Sequence, residues 1–152
     1  MPLLPYCYPR PMVAIGKSIN RDKQDRQDRD RAMLHEALTA KVLEACFEVS
    51  NELGAGFLES VYEKALLIAL RDKGLKAQSQ VPLTVKFRGI PVGEFSADIL
   101  VEDIVILELK AVTKLAPEYK AQLINYLKAT GLEVGLLINF GNPKLEYRRL
   151  HG

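Results

Sequence analysis

Two residues of opposite charge lie two positions apart in a strongly apolar stretch of the chain. The stretch runs from Ile104 to Val112, and its charged residues are Glu108 and Lys110. In a β-strand, alternate side chains point to the same face, so the carboxylate and the ammonium share one face. A strand this apolar is covered on both sides, where charges are costly unless they are paired or bind a metal. The pair predicts either a salt bridge at a sheet edge or part of a metal-dependent site.

A third charged residue, Asp98, lies on the preceding predicted strand. The turn between the two strands is predicted at Glu102-Asp103. That register pairs Asp98 with Leu107 and places it diagonal to Glu108. Two carboxylates and an ammonium that converge match what a hard cation needs, because Mg²⁺ prefers a few carboxylate oxygens and keeps water ligands. The simpler alternative for Asp98 is a solvated strand residue or a turn cap.

The elements that must position these side chains follow from hydrophobic periodicity and turn signals. Their order is helix, helix, three strands, helix, strand, strand, which predicts an α/β fold. Three strands joined by short turns form an antiparallel meander, and the later strand–helix–strand connection predicts a right-handed parallel crossover. The predicted bounds are 32–53 and 58–73 for the first two helices, 81–87, 92–101 and 104–112 for the meander, 117–130 for the crossover helix, and 134–140 and 145–150 for the last strands.

The length and charge of the chain limit its domain organisation. Its 152 residues are the size of one domain, and the 48% apolar content excludes a disordered or collagen-like chain. Residues 1–31 hold seven basic residues and four Asp, whereas residues 32–152 hold 14 basic and 15 acidic residues. We expect residues 1–31 to be a tail, either disordered or a solvated extension of the next helix. Residues 32–152 then form a single domain.

The cysteines and the apolar runs bear on location. No apolar run reaches the roughly 18 residues that suggest a transmembrane helix, so no membrane partner is predicted. The two cysteines, Cys7 and Cys46, form no disulfide framework, and Cys46 lies on an apolar helical stripe. We therefore predict a cytoplasmic protein. A homo-oligomer is compatible with the sequence but is not specified by it.

These motifs together resemble a known group of proteins. Asp98, followed on the next strand by Glu108-Leu109-Lys110 and then by a helix and a strand, resembles the PD-(D/E)xK nuclease superfamily. The sequence GFLESVY at residues 56–62 resembles the name-giving motif of the GxxExxY family within it. The resemblance covers about residues 34–150. It implies a PD-(D/E)xK nuclease-like α/β fold, in which a three-stranded antiparallel meander, a crossover helix and further strands are flanked by helices.

The resemblance implies metal-dependent hydrolysis of phosphodiester bonds in DNA or RNA. Asp98 and Glu108 would bind Mg²⁺ or Mn²⁺, and Lys110 would orient the attacking water and stabilise developing charge. The alternative is a nucleic-acid-binding or protein-interaction module that retains the nuclease fold without cleaving. No stretch interleaves aromatic and basic residues as a single-strand platform does. The sequence therefore does not choose between DNA and RNA.

The resemblance also implies roles for residues on two helices. Gln122 and Tyr126 are four apart and share a helical face, which is similar to the QxxxY motif of the RecB-like branch, where the Gln faces the metal site. Glu59 would be the acidic residue on the helix before the sheet, with Tyr62 in support. Ordinary alternatives are available, because the helix dipole favours Glu59 in a first turn. Tyr62 could be a packing residue with a polar tip. Gln122 and Tyr126 could be ordinary helix surface, with Tyr126 part of the apolar face.

Overall fold

The computed structural model describes residues 18–152 and has an α/β architecture. One five-stranded sheet has the order β1-β2-β3-β4-β5. β1, β2 and β3 form an antiparallel meander, β3 and β4 pair in parallel across α3, and β5 is antiparallel to β4. The predicted fold class is thus confirmed. The elements are α1 (Ser18–Leu53), α2 (Glu59–Asp72), β1 (Ala77–Phe87), β2 (Ile90–Val101), β3 (Val105–Lys110), α3 (Pro117–Thr130), β4 (Val134–Asn139) and β5 (Glu146–His151).

The chain divides into two compact units, which are described separately. The first ends at Leu34, and the second comprises His35–Gly152. In the first unit, residues 20–34 are helical and their side chains are exposed. This part of α1 includes much of the segment that the sequence predicts to be disordered or a solvated helical extension. The beginning of that predicted tail, residues 1–17, lies outside the described residues.

In the second unit, the sheet buries an apolar cluster on each face. Val105, Leu107 and Leu109 of β3 belong to the cluster that α1 and α2 cover. Ile106, between them, belongs to the cluster that α3 covers. All four side chains are at most 1% exposed, so β3 is a central strand covered on both faces, as its sequence predicts. By alternation, Glu108 and Lys110 lie on the face that α3 covers.

The turn between β2 and β3 is one residue longer than predicted. Glu102 and Asp103 both have positive φ angles, 52° and 56°. The Ile104 N–H closes the turn by donating to the Val101 carbonyl at 3.0 Å. However, Val101 pairs with Val105 rather than with Ile104. The predicted register is therefore wrong by one residue, because Ile104 belongs to the turn instead of opening the strand.

The corrected register changes where Asp98 lies. The β2–β3 ladder pairs Ile99 with Leu107 and ends there. One step further along both strands, Asp98 comes level with Glu108 instead of with Leu107, its predicted partner. Opposite positions in an antiparallel pair are closer than diagonal ones. The two carboxylates are therefore more directly opposed than the sequence predicts.

Two features of the described residues bear on the sequence predictions about membrane helices and cysteines. In the described part of the chain, no helix is both long enough and apolar enough to cross a membrane. Cys46 is a free thiol with no exposed surface, and burial raises its pKa to about 12. It is the small buried hydrophobe that its position on the apolar stripe of α1 predicts.

Candidate active site

At Gln80 and Asp98, the side chains of the β1–β2 hairpin switch from one face of the sheet to the other. On β2, Ile99 lies in the cluster against α1 and α2, whereas Ala97 lies in the cluster against α3. A regular strand would keep these two side chains on one face. Gln80 has a φ angle of 50°, and the β1–β2 pairing is interrupted at Gln80 and Asp98. Asp98 therefore lies where the hairpin changes faces, a position that strict alternation does not predict.

Asp98 is half-buried and is hydrogen-bonded to the backbone of the neighbouring strand. Its Oδ2 accepts a hydrogen bond from the Leu109 N–H at 2.7 Å. The carboxylate takes the place of a ladder carbonyl beyond the end of the β2–β3 pairing. Because Leu109 lies between Glu108 and Lys110, this bond fixes Asp98 beside the two other charged residues that the sequence singles out. The structure thus brings Asp98, Glu108 and Lys110 together.

Glu108 is a buried carboxyl group with an unsatisfied oxygen. The residue is 9% exposed, and its Oε1 has no hydrogen-bond partner. Burial and, to a smaller extent, the Asp98 carboxylate raise the pKa of Glu108 to about 8, and the Lys110 ammonium opposes the shift. An unpartnered buried oxygen is costly unless something outside the protein satisfies it. The site therefore favours a bound cation or proton at Glu108.

Lys110 contacts an aromatic ring. Its Nζ lies 4.5 Å from the centroid of the Tyr119 ring, near the start of α3. A cation–π contact of this kind is worth about 0.5–2 kcal/mol, depending on how far the ammonium is desolvated. No ion pair joins Lys110 to Glu108 within residues 18–152. The ring thus holds the ammonium near the carboxylates without neutralising them.

Asn139 clamps the chain just beyond Lys110. Its amide donates to the Val112 carbonyl at 2.8 Å, and its Oδ1 accepts from the Val112 N–H at 3.0 Å. Oδ1 also accepts from the Gly141 N–H at 3.0 Å, and Asn139 has no exposed surface. The side chain imitates a strand backbone and extends the β3–β4 pairing past its last residues. The sequence does not reveal this bracing role, because Val112 is 27 residues away along the chain.

α3 carries two of the predicted residues, Gln122 and Tyr126, which contact each other. The Gln122 amide donates to the Tyr126 hydroxyl, across one helical turn. The Tyr126 ring stacks on Phe95 of β2, with centroids 3.6 Å apart. Burial raises the pKa of Tyr126, and Glu108 and Asp98 raise it further while Gln122 lowers it. The predicted pair thus lies on one helical face, and Tyr126 is within electrostatic reach of both carboxylates.

On α2, Glu63 is the carboxylate with an electrostatic link to Asp98. Glu59 is exposed in the first turn of the helix. Glu63, one turn later, accepts a hydrogen bond from the Gln80 amide at 2.9 Å. Burial raises the pKa of Glu63, and the Asp98 carboxylate contributes to the shift. The sequence prediction names Glu59, and Glu63 lies on the same helical face because the two are four residues apart.

Tyr62 lies in the core rather than among the charged residues. Its ring is fully buried and stacks on Phe140, with centroids 4.6 Å apart. Its hydroxyl donates to the Gly54 carbonyl at 2.6 Å and accepts from the Phe57 N–H at 3.2 Å. The residue thus ties the loop between α1 and α2 to the core. This geometry corresponds to the ordinary alternative, a packing residue with a polar tip.

The donor set suits a hard divalent cation that keeps several water ligands. Within the described residues, no group of three or more His, Cys, Asp or Glu side chains is placed to hold a metal ion. Two carboxylates, from Asp98 and Glu108, lie together, and Oε1 of Glu108 has no hydrogen-bond partner. Mg²⁺ typically takes one or two carboxylates and completes its shell with water and substrate oxygens. The residues therefore fit such an ion.

A family model identifies the group to which this arrangement belongs. The model of the PD-(D/E)XK nuclease superfamily matches residues 36–150. The chain belongs to this superfamily. The matched range includes Asp98, Glu108 and Lys110. It therefore spans the three charged residues that the structure brings together.

Solved structures show fold likenesses to the PD-(D/E)XK chain. The structure of SSO0001 has 19% identity and a TM-score of 0.49, covering 60% of this chain and 48% of that one. An alkaline exonuclease (LHK-Exo) from Laribacter hongkongensis has 16% identity and a TM-score of 0.45, covering 60% and 55%. LHK-Exo in complex with dAMP has 14% identity and a TM-score of 0.41, covering 70% and 75%. The chain thus spans about half the length of the first two. No curated protein matches it.

Proposed function

We propose that this PD-(D/E)XK protein is a metal-dependent nuclease that hydrolyses phosphodiester bonds of DNA or RNA. One observation carries the proposal: the buried Glu108 carboxyl, with its unpartnered Oε1, lies beside Asp98 and is followed two residues later by Lys110. Without a ligand, this arrangement has an energetic cost, since it holds carboxyl groups together in a partly desolvated place. A bound cation and a phosphate would offset that cost.

Each residue of the site has a proposed part in the reaction. Asp98 and Glu108 would hold Mg²⁺ or Mn²⁺, and a bound divalent cation supplies Lewis-acid activation of water and neutralises phosphate charge. The Lys110 ammonium would orient the nucleophile and stabilise the charge that develops on the phosphate oxygens. Tyr119 would keep that ammonium in place. The reaction requires no histidine or serine from the chain.

Two helical residues would support the carboxylates and the ammonium. Gln122, hydrogen-bonded to Tyr126, would steady Lys110 or the nucleophile. An acidic residue on α2 would assist the cation or its water. The sequence prediction for that part is Glu59, and the contact of Glu63 with Gln80 supports Glu63 as the better candidate. We further propose membership of the GxxExxY family with a RecB-like QxxxY motif, on the sequence matches alone. Cytoplasmic location also stays a prediction.

Cleavage assays on a substrate panel test the proposal. Labelled single-stranded, double-stranded and branched DNA and RNA would be incubated with Mg²⁺, Mn²⁺ or EDTA. We expect cutting that requires the divalent ion, that Asp98→Asn and Glu108→Gln abolish, and that Lys110→Ala slows strongly. Glu36→Gln, which removes an exposed carboxylate of α1, is the matched control and should cut normally.

A negative result separates the two functional readings. If the unmodified protein binds Mn²⁺ but cuts nothing on the panel, the nuclease proposal fails. The non-cleaving alternative, a nucleic-acid-binding or protein-interaction module, would then stand. If all variants cut as well as the unmodified protein, the activity belongs to a contaminant and the site assignment fails as well.

A further inference from the structure

The tip of the β1–β2 hairpin, residues 86–92, exposes apolar side chains that the core does not use. Phe87 is 60% exposed, Ile90 66% and Val92 61%. The base of the same hairpin is well packed, since Phe95 stacks on Tyr126 of α3. Large apolar side chains grouped on a protruding element commonly mark a contact surface. The hairpin tip therefore requires an explanation other than folding.

The charges of the hairpin tip are all positive. Lys86 and Arg88 are both exposed, and residues 86–92 contain no Asp or Glu. The Arg88 guanidinium lies over the Phe87 ring, 5.0 Å from its centroid. In the described part of the chain, no ion pair occupies either cation. The tip thus presents a short basic–aromatic–basic triplet with its cations available, contrary to the expectation that no such interleaving occurs.

The hairpin connects this tip to the proposed catalytic site. Asp98 and Gly89 are nine residues apart on one arm, so the tip extends at most about 30 Å from the carboxylates at about 3.3 Å per strand residue. Such a distance corresponds to roughly nine stacked bases at ~3.4 Å per base. A nucleic acid of about nine nucleotides or more, with one phosphate at the site, is therefore long enough to meet the tip. A single nucleotide is not.

We propose that the hairpin tip binds an unpaired part of the nucleic acid whose backbone is cut at Asp98 and Glu108. This inference rests on the proposed function. A base stacks on Phe87 or on the guanidinium of Arg88, while Lys86 and Arg88 meet phosphates. Paired bases inside a duplex hide their faces, so an exposed aromatic ring selects single strands, overhangs or frayed ends. The substrate class is thus nucleic acid with unpaired bases.

An apolar protein partner is the competing occupant, since Ile90 and Val92 would suit it. The charge of the tip favours nucleic acid, because two available cations and no carboxylate complement a polyanion. Nucleic acid and a protein partner also require different properties of the side chain at position 87. Stacking requires an aromatic ring, whereas a protein pocket accepts any apolar side chain of similar size. The substitution Phe87→Leu therefore separates them.

Binding titrations in EDTA, which prevents metal-dependent cutting, test the inference. The probes are a labelled single strand, a blunt duplex and a duplex with an overhang, each at several salt concentrations. We expect Phe87→Ala and Phe87→Leu to weaken binding of the single strand and the overhang by about tenfold, with little effect on the blunt duplex. Arg88→Ala should weaken binding of all three and lower the salt slope by about 1. Lys128→Ala, which removes an exposed cation of α3, is the matched control.

Three results would overturn the inference: unchanged single-strand affinity in Phe87→Ala, normal affinity in Phe87→Leu, or no binding of any probe by the unmodified protein. If either of the first two results is found while cutting still requires Lys110, the nuclease proposal stands. A protein partner is then the favoured occupant of the hairpin tip. The reverse case is also distinguishable. If the Phe87 and Arg88 substitutions weaken nucleic-acid binding but the protein cuts nothing with any metal ion, the inference is supported and the nuclease proposal fails.

Discussion

The Asp98 carboxylate accepts a hydrogen bond from the Leu109 N–H at 2.7 Å, across the end of the β2–β3 ladder. This bond joins the first proposed metal ligand to the residue between the other two members of the charged group, Glu108 and Lys110. The carboxylate therefore has a structural function as an acceptor and a proposed chemical function as an anion. Substitutions can separate the two functions.

Asp98→Asn keeps an oxygen acceptor for the Leu109 amide but removes the negative charge. We expect its melting temperature to remain close to that of the unmodified protein and its Mn²⁺ binding to be lost in calorimetry. Asp98→Ala leaves the buried amide without a partner, so we expect it also to lose about 1–3 kcal/mol of stability. Native Mn²⁺ affinity in Asp98→Asn would remove Asp98 from the metal site.

Glu108→Gln should change how stability depends on pH when no metal is present. Burial, with the neighbouring Asp98, raises the pKa of Glu108 from 4.5 to about 8. Below pH 4.5, both the folded and the unfolded states hold the proton, and no stability is lost. As the pH rises toward 8, the unfolded state ionises first, so the protein loses stability until the folded carboxyl also ionises. Gln cannot ionise and avoids this loss.

The measurement for Glu108→Gln is urea unfolding at pH 5 and pH 9 in EDTA. The variant should gain stability relative to the unmodified protein between the two pH values, by on the order of a few kcal/mol. Glu36→Gln, at an exposed position of α1, serves as the control and should show no such gain. Equal pH profiles for all three proteins would mean that Glu108 is solvated and ionised like an ordinary surface carboxylate.

Tyr119→Leu should slow cleavage by removing the ring that holds the Lys110 ammonium. The contact of 4.5 Å is expected to contribute a factor of about two to five in rate, whereas Tyr119→Phe keeps the ring and should cut normally. The double variant Tyr119→Leu/Lys110→Ala should be no slower than Lys110→Ala alone. Additive losses would show that Tyr119 acts on something other than Lys110.

Asn139→Ala should destabilise the fold strongly, because it leaves both backbone groups of Val112 without their partners. We expect a loss of about 2–4 kcal/mol in urea unfolding. Gly141→Ala should also destabilise, since a Cβ there would come within 2.1 Å of the Val112 carbonyl oxygen. Gly93→Ala has nothing within 4 Å of the added carbon and is the control. Near-native stability of Asn139→Ala would mean that water replaces the side chain at Val112.

Much of the fold could be predicted from local patterns. The alternation of apolar and charged residues in β3 correctly placed Glu108 and Lys110 together and opposite the face of Leu107. The same logic failed at the β2–β3 turn, where positive φ angles at two non-glycine residues add a third residue to the loop. Turn length depends on how the two strands twist and pack, which neighbouring residue types do not reveal.

The candidate site was only partly predictable for a related reason. Residue types and spacing along the chain were enough to choose Asp98, Glu108 and Lys110, because charges inside apolar strands require an explanation wherever the strands lie. Packing between elements decides the remaining contacts. It places Glu63, the proposed alternative to Glu59, against Gln80, and it places Asn139 against the backbone of Val112. These contacts join residues that are 17 and 27 positions apart. The sequence by itself therefore identifies the charged residues that could do chemistry. Which side chains and backbone groups contact those residues is decided by how the helices and strands pack in three dimensions.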